Sequence, residues 1–423
     1  MADANPEALD AAVEARRDEL VELTLDLVAT DTANPPGETA AAAAVVEAYL
    51  EDVGLEADRV AVDPAKPNLV AELPGERSAT LGFNGHLDTV PYEAAAWAHA
   101  PLGERIGGQV FGRGAADMKG PLAAMLVAAA ALVDLDRRPP VSLAWSVVAD
   151  EEAGGDAGLA AVLDADRFDV EACLIGEPTC RGDRHSVTVA DRGSIWLTLE
   201  ATGEAAHGSR PMLGDNAIDR LYAAIERIRD LVGSRRLDLP ASVRPIVDES
   251  VAFYAGDLGE EVARALFERP TINLGRFEGG EAINQVPRAA RAEVDVRLTA
   301  GVDTRAVLGD VRDCIDGCDG ISLVDVSWSV GTAEPLDAPL VRATTDAAEA
   351  LTGERVFRRS ATGGGDAKRL RRRGTSTVEF AFGPDTAHAV DEHTTVEALV
   401  ANAKAYARLP FLYAAYRDDE PAR

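Results

Sequence analysis

The chain has 423 residues, with 72 acidic against 42 basic residues and a formal net charge of −30. This length favours two domains, and so negative a field opposes binding to nucleic acid. No stretch approaches the roughly 18 apolar residues that a membrane-spanning helix needs. The N-terminal segment carries charges throughout, which is not typical of a signal peptide, and we therefore expect a cytoplasmic location and no membrane partner.

The acidic residues are spread evenly along the chain, and only four of the basic residues are lysines. This balance is typical of proteins from salt-accumulating microbes, because at molar salt the Debye length falls to about 3 Å and self-repulsion is screened. It indicates a halophilic archaeon as the source and gives no information on chemistry. Four cysteines are too few for a disulfide scaffold in a chain of this length.

The first half of the chain alternates helical and strand-like periodicity. Helical spacing runs over 9–27 and, after the breaker Asn34-Pro35-Pro36-Gly37, over 38–53. An Ala-rich helix is predicted over 120–133. Strands alternating with helices predict a mainly parallel sheet covered on both faces. The predicted strands are 68–73, 80–85, 142–149 and 172–176.

From residue 186 the pattern changes to alternating strands with helices between them, which predicts an open-faced α+β unit. Its predicted strands are 186–190, 194–201, 271–276, 289–298 and 321–329, and its predicted helices are 214–232 and 303–315. The earlier pattern then returns, with a helix over 336–352, a strand over 376–382 and a helix over 394–414. We therefore expect one domain inserted into another, with boundaries at 1–184, 185–331 and 332–423.

Side chains that can bind a metal ion stand after four of the predicted strands. Open α/β sheets carry their sites at the carboxyl ends of strands, so these side chains should meet at one edge. A further carboxylate, Asp117, opens the Ala-rich helix, where a lone Asp is more often an N-cap. From proximity alone, either His388 or His393 could be the ligand after the last strand. The side chains after the strands are His86, Asp88, Asp150, Glu151, Glu152, Glu177, His388, Asp391 and Glu392.

Six short motifs follow one another along nearly the whole chain. They are GHLDTVP (85–91), GRGAADMKG (112–120), ADEEAGG (149–155), IGEPT (175–179), AAHGSRP (205–211) and AHAVDE (387–392). In content and order they resemble the M20 metallopeptidases, the group of acetylornithine deacetylase, succinyl-diaminopimelate desuccinylase, aminoacylase and carboxypeptidase G. The resemblance implies an α/β catalytic domain of the zinc-peptidase type and an inserted ferredoxin-like α+β domain for lid closure and dimerisation.

The resemblance also implies a role for each metal ligand. Asp117 would bridge two divalent ions, zinc in the first place and cobalt or manganese as alternatives; two imidazoles and three carboxylates suit these ions better than calcium or copper. The family spacing His-x-x-Asp-Glu favours His388 over His393. The other ligands would be His86 and Glu177 at one ion and Glu152 and His388 at the second.

Three further residues take catalytic roles by the same resemblance. Asp88, on its own a strand-end turn carboxylate, would orient the imidazole of His86. Glu151 would take a proton from the attacking water and pass it to the leaving amine. His207, on its own a surface imidazole, would reach the partner subunit's active site and stabilise the tetrahedral oxyanion. That role implies a homodimer formed through the inserted domain.

The substrate-binding residues are less sharply indicated. Substrates of this family are N-acyl amino acids or short peptides, so cationic side chains should recognise a carboxylate. Arg192, Asn284 and Arg297 resemble positions of the desuccinylase branch. Lys368 stands where that branch has an arginine, and lysine lacks the bidentate fork of arginine. Each of the basic residues except Arg297 could equally be a solvated surface group.

Three functions remain open at this point. The leading hypothesis is hydrolysis of an N-acyl amino acid, such as acetylornithine, succinyl-diaminopimelate or a close relative. A small-peptide metallopeptidase, either a dipeptidase or a carboxypeptidase, would use the same residues. The third is a homologue that only binds its ligand; the retained Glu151 and the complete ligand set argue against it.

Overall fold

The computed structural model describes residues 5–134 and 138–419, and these form two compact units. The first unit holds the described residues up to Val189, the segment Glu334–Arg358 and the described residues from Gly365 onward. The inserted unit holds Ala190–Ala333 and Arg359–Gly364. Its limits therefore lie a few residues beyond the predicted 185 and 331, and a short later segment returns to it.

Helices and strands alternate through the described residues. The helices are α1 (Pro6–Ala15), α2 (Arg17–Val28), α3 (Ala40–Val53), α4 (Lys119–Asp134), α5 (Leu159–Asp164), α6 (Ala217–Ile228), α7 (Arg244–Leu258), α8 (Glu260–Glu268), α9 (Thr304–Asp316), α10 (Pro339–Thr352), α11 (Asp366–Arg372) and α12 (Val396–Asp418). The strands are β1 (Ala57–Val60), β2 (Asn68–Leu73), β3 (Thr80–His86), β4 (Glu104–Ile106), β5 (Gln109–Phe111), β6 (Ser142–Val148), β7 (Ala172–Ile175), β8 (His185–Ala190), β9 (Gly193–Thr202), β10 (Thr271–Gly279), β11 (Ala289–Leu298), β12 (Ile321–Ser329), β13 (Val356–Ser360), β14 (Ser376–Glu379) and β15 (His393–Thr395). Of the helices described, none combines the length and the apolar character needed to cross a membrane.

An eight-stranded sheet forms the centre of the first unit, in the order β1-β2-β6-β3-β7-β14-β8-β13. The four central strands β6, β3, β7 and β14 run parallel, whereas β2 and β8 pair antiparallel with their inner neighbours. The parallel strands are apolar and buried almost throughout, because helices such as α4, α5 and α11 pack against them. This parallel centre brings four strand ends to one edge.

The structure corrects two details of the predicted elements. The sequence pattern places the strand at 186–190 in the inserted domain, but β8 pairs with β14 in the eight-stranded sheet. The single helix expected over 9–27 is two helices that meet at Arg16. The Arg16 N–H donates to the carbonyl of Val13 in a tighter turn, and its guanidinium pairs with Glu19 and Asp134.

The inserted unit is built on a four-stranded antiparallel sheet in the order β10-β11-β9-β12. With α6 between β9 and β10 and α9 between β11 and β12, the chain follows the β-α-β-β-α-β path of a ferredoxin-like unit. Buried residues alternate with more exposed ones along β9, since helices cover one face of the sheet. Helices α7 and α8, between α6 and β10, are additions that were not predicted.

Candidate metal centre

The ends of the four parallel strands place the predicted ligands at one edge of the sheet. His86 is the last residue of β3, and Glu152 and Glu177 follow β6 and β7. His388 lies in the loop after β14, and Asp117 lies in the turn before α4. Because these strands are neighbours in the sheet, residues far apart in sequence meet in space, as expected for an open α/β sheet.

The five side chains form two groups that share one carboxylate. In the first ligand group, His86 Nε2 lies 3.2 Å from Asp117 Oδ1 and 3.4 Å from Glu177 Oε1. In the second ligand group, His388 Nε2 lies 3.1 Å from Asp117 Oδ2 and 3.1 Å from Glu152 Oε1. Within each group the candidate ligand atoms lie within 4.8 Å of one another. Asp117 therefore presents one oxygen to each group.

The donor set fits a pair of divalent cations. In the part of the chain that the structure describes, no lysine or arginine pairs with Asp117, Glu151, Glu152 or Glu177, and histidine is the only cationic partner of the three ligand carboxylates. Carboxylates gathered in a buried place need a compensating cation. Imidazole nitrogens and carboxylate oxygens are the donors that zinc and its neighbours in the first transition row prefer.

In the metal-free protein, protons compensate part of this charge. Burial, with Asp117 close by, raises the pKa of Glu177 to about 8. Hydrogen bonds with Asp117 and Glu152 raise the pKa of His388 to about 10. Burial by itself lowers the pKa of His86, but its contacts with Asp117 and Glu177 outweigh burial and raise the pKa well above the usual value. Metal ions would displace these protons, since the ligands bind in their deprotonated forms.

A backbone carbonyl fixes the tautomer of His86. Its Nδ1 lies 2.9 Å from the carbonyl oxygen of Asp88, and because a carbonyl can only accept, Nδ1 carries the hydrogen and Nε2 faces the carboxylates. Metal-binding histidines usually donate their second N–H in this way. The sequence prediction gave this role to Asp88, and the structure assigns it to the backbone of that residue, since the carboxylate lies farther away at 3.7 Å.

The carboxylate of Asp88 instead holds the segment that carries the proposed base. It is fully buried, and its two oxygens accept the N–H groups of Glu151 and Glu152 at 3.0 and 3.1 Å. Asn34 donates to Asp88 at 2.8 Å and to Asp150 at 3.0 Å. Asp88 therefore ties the end of β3 to the turn after β6. In the sequence, Asn34 carries no signal beyond its place in the breaker Asn34-Pro35-Pro36-Gly37.

Glu151 lies beside the two ligand groups and belongs to neither. Burial, together with the charge of Glu177, raises the pKa of Glu151 well above its usual value. A carboxylate with a raised pKa is a stronger base, which suits a group that takes a proton from water and gives it to an amine. Gly365 borders this side chain, because a Cβ at that position would lie only 2.6 Å from Glu151 Oε1.

The structure distinguishes His388 from its neighbour His393. His393 begins β15, its Nδ1 lies 3.0 Å from the carbonyl oxygen of Asp391, and its ring packs against Phe111 with the ring centres 4.9 Å apart. Only His388 of the two faces the ligand carboxylates within the described chain. The geometry therefore favours His388 over His393 as the candidate ligand.

His207 and Asn284 lie in the inserted unit, on two loops that contact each other. The N–H of Gly208 donates to the carbonyl of Asn284 at 2.6 Å. His207 is exposed, and the N–H of Ser209 donates to its Nδ1 at 3.2 Å, so the neutral ring carries its proton on Nε2. Lys368 lies on α11 of the first unit and is partly buried. The functional roles of His207, Asn284 and Lys368 stay predictions.

Arg192 and Arg297 make their observed contacts within the inserted unit. Arg192 is buried and donates to Thr271 Oγ1 at 3.1 Å and to the carbonyl of Arg297 at 2.9 Å. The guanidinium of Arg297 pairs with Asp295 at 2.8 Å and lies 5.8 Å from the ring centre of Trp196. A role of either arginine in substrate binding stays a prediction.

A buried ion pair behind the ligand loops was missed in the sequence. Glu392 and Arg113 are 279 positions apart, and both side chains are buried. In the sequence, Glu392 is one of two acidic residues after a predicted strand, and Arg113 is part of the Gly-rich motif. Neither position carries a local signal that it pairs with the other.

Comparison with known proteins gives the chain a family. The sequence profile of the peptidase family M20/M25/M40 matches residues 82–411. The chain belongs to peptidase family M20. This M20 chain is 30% identical over 390 residues to the succinyl-diaminopimelate desuccinylase of Cereibacter sphaeroides, covering 89% of the chain and 94% of that relative. It is 31% identical over 368 residues to the desuccinylase of a Caulobacter species, covering 84% and 86%.

Solved structures of several peptidases share the fold of the M20 chain. The M20 metallo-carboxypeptidase Sso-CP2 of Sulfolobus solfataricus superposes with a TM-score of 0.78 at 20% identity, covering 94% of this chain and all of that one. Human carnosine dipeptidase 1 gives 0.72 at 19% identity, with 98% and 99% covered. The YXEP protein of Bacillus subtilis, a dinuclear metal-binding peptidase, gives 0.65 at 16% identity, with 94% and 98% covered. As a member of this family, the chain is a metal-dependent hydrolase.

Proposed function

We propose that this M20 chain hydrolyses the amide bond of an N-acyl amino acid at a dinuclear metal site. The observation that carries the proposal is the sharing of Asp117 by two three-residue ligand groups, with Glu151, whose pKa desolvation raises well above its usual value, beside them. Desuccinylase relatives at 30% and 31% identity over most of the chain support an acyl amino acid as the substrate class.

Five side chains would hold the two ions, for which zinc is our first choice and cobalt or manganese the alternatives. Ions bound there would polarise the scissile carbonyl and make the attacking water more acidic. Asp117 would contact both ions, one with each carboxylate oxygen. The backbone carbonyl of Asp88 would hold the hydrogen of His86 on Nδ1, so that Nε2 is free to bind one ion. The five ligands are His86, Asp117, Glu152, Glu177 and His388.

The chain's own residues would move the protons of the reaction. Glu151 would accept one proton from the attacking water and donate it to the leaving nitrogen, so that the acyl carbon gains the hydroxyl group and the nitrogen gains hydrogen. The elevated pKa of Glu151 supports this role. The Nε2–H of His207 would donate a hydrogen bond to the tetrahedral oxyanion.

Replacement of Glu151 by Gln tests the proposal, because Gln keeps the size of the side chain and cannot carry the proton. We expect turnover to fall by about 10²- to 10⁴-fold, with metal content unchanged. Asp156→Asn is the matched control, since Asp156 lies in the same turn with its side chain 95% exposed. If Glu151→Gln keeps more than a few per cent of wild-type turnover, Glu151 is not the base.

A second candidate is a small-peptide metallopeptidase, either a dipeptidase or a carboxypeptidase. It is favoured by Lys368, which stands where the desuccinylase branch has an arginine suited to bidentate binding of a second carboxylate. A panel of acetylornithine, succinyl-diaminopimelate and dipeptides, tested with zinc-loaded protein, separates the two functions by the substrate that releases amine fastest. A zinc-loaded protein that releases amine from none would favour a non-catalytic binding homologue.

We further propose a homodimer formed through the inserted unit, which would act as lid and dimerisation domain, with His207 serving the partner subunit's site. The exposure of His207 and its Nε2–H tautomer support this. Glu151→Gln and His207→Asn subunits, each inactive alone, can be mixed and allowed to exchange. If His207 acts across a two-fold dimer, one site in each mixed dimer is complete, and about a quarter of wild-type activity returns. If His207 acts within its own subunit, no activity returns.

The cytoplasm of a halophilic archaeon is our proposed setting. The net charge of −30 supports it, since a salt-rich cytoplasm screens the repulsion between acidic side chains. Circular dichroism and activity should both require molar potassium chloride. Full folding and full activity in dilute buffer would contradict this setting and leave the proposed reaction untouched.

A further inference from the structure

The two loops that supply Asp117 and His388 are joined behind the ligand groups by a buried ion pair. Arg113 lies four residues before Asp117, and Glu392 lies four residues after His388. Their guanidinium and carboxylate groups are in contact, with side chains 5% and 0% exposed. Each loop therefore contributes one metal ligand and one member of the Arg113–Glu392 pair.

Glu392 holds the backbone of the Asp117 loop. Its Oε1 accepts the N–H groups of Gly114, Ala116 and Asp117 at 3.0, 2.9 and 3.0 Å. The N–H of Gly112 donates to the backbone carbonyl of Glu392 at 2.9 Å. These bonds fix the backbone of Asp117 and so the point from which its carboxylate reaches both ligand groups.

Arg113 holds the His388 loop. Its Nη2 donates to the carbonyl oxygens of His388 and Ala389 at 3.4 and 3.2 Å. His388 has a φ of +63°, a left-handed conformation that costs energy for a residue with a Cβ and persists only where its surroundings enforce it. The hydrogen bonds from the guanidinium contribute to holding this conformation, and the ring of Trp97 covers the guanidinium with the ring centre 5.3 Å away.

We propose that Arg113 and Glu392 are positioning residues that set the spacing between Asp117 and His388 and so control metal binding at the second ligand group. The inference rests on the proposed dinuclear site. The first ligand group shares Asp117 but has an anchor of its own, because His86 ends β3 and the Asp88 carbonyl orients its ring, whereas His388 belongs to the second group alone. Loss of the ion pair should therefore weaken the second metal ion more than the first.

The expected effect follows from the narrow range of distances that a metal ion accepts between itself and its ligands. Ligand distances are held to within about 0.2 Å in protein sites, and loss of a residue that supports a ligand typically lowers metal affinity about 10- to 100-fold. In Glu392→Gln, the amide oxygen can still accept the three N–H groups, but its NH₂ faces the Arg113 guanidinium and the pair is lost. We expect the second zinc affinity to fall by about 10- to 100-fold, with the first nearly unchanged.

The test is zinc titration of the metal-free full-length protein against a chromophoric chelator, which resolves the two affinities without any activity measurement. Arg113→Lys keeps the charge but cannot reach both Glu392 and the two carbonyls, so it should give a smaller loss at the same ion. The matched control is Glu334→Gln. It removes a carboxylate that is buried with Arg371 and accepts from Ser376 in the same unit, away from the ligand loops.

Selective loss of the second ion in both test variants, and not in Glu334→Gln, supports the inference. Equal weakening of both ions, or the same weakening in Glu334→Gln, would show a general structural role and overturn it. If Glu392→Gln does not fold, Arg113→Lys decides by the same criterion. If the wild-type protein binds fewer than two ions, the dinuclear site itself is contradicted. If it binds two ions and the substitutions at Arg113 and Glu392 change neither affinity, only the present inference fails.

Discussion

The space beside Gly365 allows a sharp test of where the Glu151 carboxylate must lie. A Cβ added at Gly365 would lie 2.6 Å from Glu151 Oε1, where ordinary contact begins at 3.4 Å. In Gly365→Ala the carboxylate must therefore move by about 0.8 Å, since the Glu151 side chain yields more easily than the backbone. Gly365 has a negative φ, outside the left-handed region that favours glycine, so we expect the substitution to act mainly through Glu151.

The size of the effect follows from the sensitivity of catalysis to position. A displacement of about 1 Å can cost about 10²-fold in rate, so we expect kcat to fall about 10- to 100-fold. That fall corresponds to about 1.4 to 2.7 kcal/mol of barrier. Metal content and KM should change little, because Gly365 contacts the base and none of the five ligands.

The assay is amine release from the best substrate of the panel, with zinc content measured on the same preparation. Gly363→Ala is the matched control, because a Cβ there meets nothing within 4 Å. If Gly365→Ala keeps kcat within about twofold of that control, a shift of the Glu151 carboxylate has no kinetic cost. Glu151 would then not be the general base.

Three further predictions concern the ligands and the buried carboxylate of Asp88. Zinc affinity should rise between about pH 6 and 9, because His388, with a pKa of about 10 in the metal-free protein, must lose its proton to bind zinc. Calorimetry in buffers of different ionisation enthalpy should detect the released proton. A zinc affinity that does not change with pH would contradict this prediction. Asp88→Asn keeps the backbone carbonyl that orients His86 but turns an NH₂ group toward a backbone N–H. We expect kcat to fall more than zinc affinity. A larger fall in zinc affinity than in kcat would contradict the role of the Asp88 carboxylate in holding the segment of Glu151. Asp117→Ala should lose both zinc ions on dialysis and His388→Ala only one, and two ions retained by Asp117→Ala would rule out a bridging role.

Four of the five ligand positions could be predicted because each follows a recognisable apolar run, whereas Asp117, before α4, was predicted from its motif. Glu152 and Glu177 come soon after buried strands, and His86 ends one. The carboxyl ends of parallel strands share one edge of a sheet whichever strands are neighbours. The site could therefore be anticipated without the strand order, which pattern alone does not give.

The positioning contacts could not be predicted in the same way. The pairing of Arg113 with Glu392 joins residues 279 positions apart, and buried charges have no sequence signal that separates them from solvated ones. The tautomer of His86 is set by a backbone carbonyl, which every residue possesses. Chain topology creates both contacts, so they become visible only when the strands are assembled.

Errors in the predicted elements have the same origin. The residues of β8 were correctly predicted as a strand, but its neighbour is β14, where Thr188 pairs with Glu379. The helix break at Arg16 has no glycine or proline, and the Arg16 guanidinium takes partners that include Asp134, far along the chain. Local propensity predicts the element type well and leaves its partner undetermined.

Anomalous diffraction at the zinc edge, from crystals of zinc-loaded protein, tests the dinuclear centre itself. We predict two peaks about 3.5 to 4 Å apart, with Asp117 between them. One peak should lie beside His86 and Glu177, and the other beside Glu152 and His388. A single peak, or two peaks away from these side chains, would contradict the proposed site.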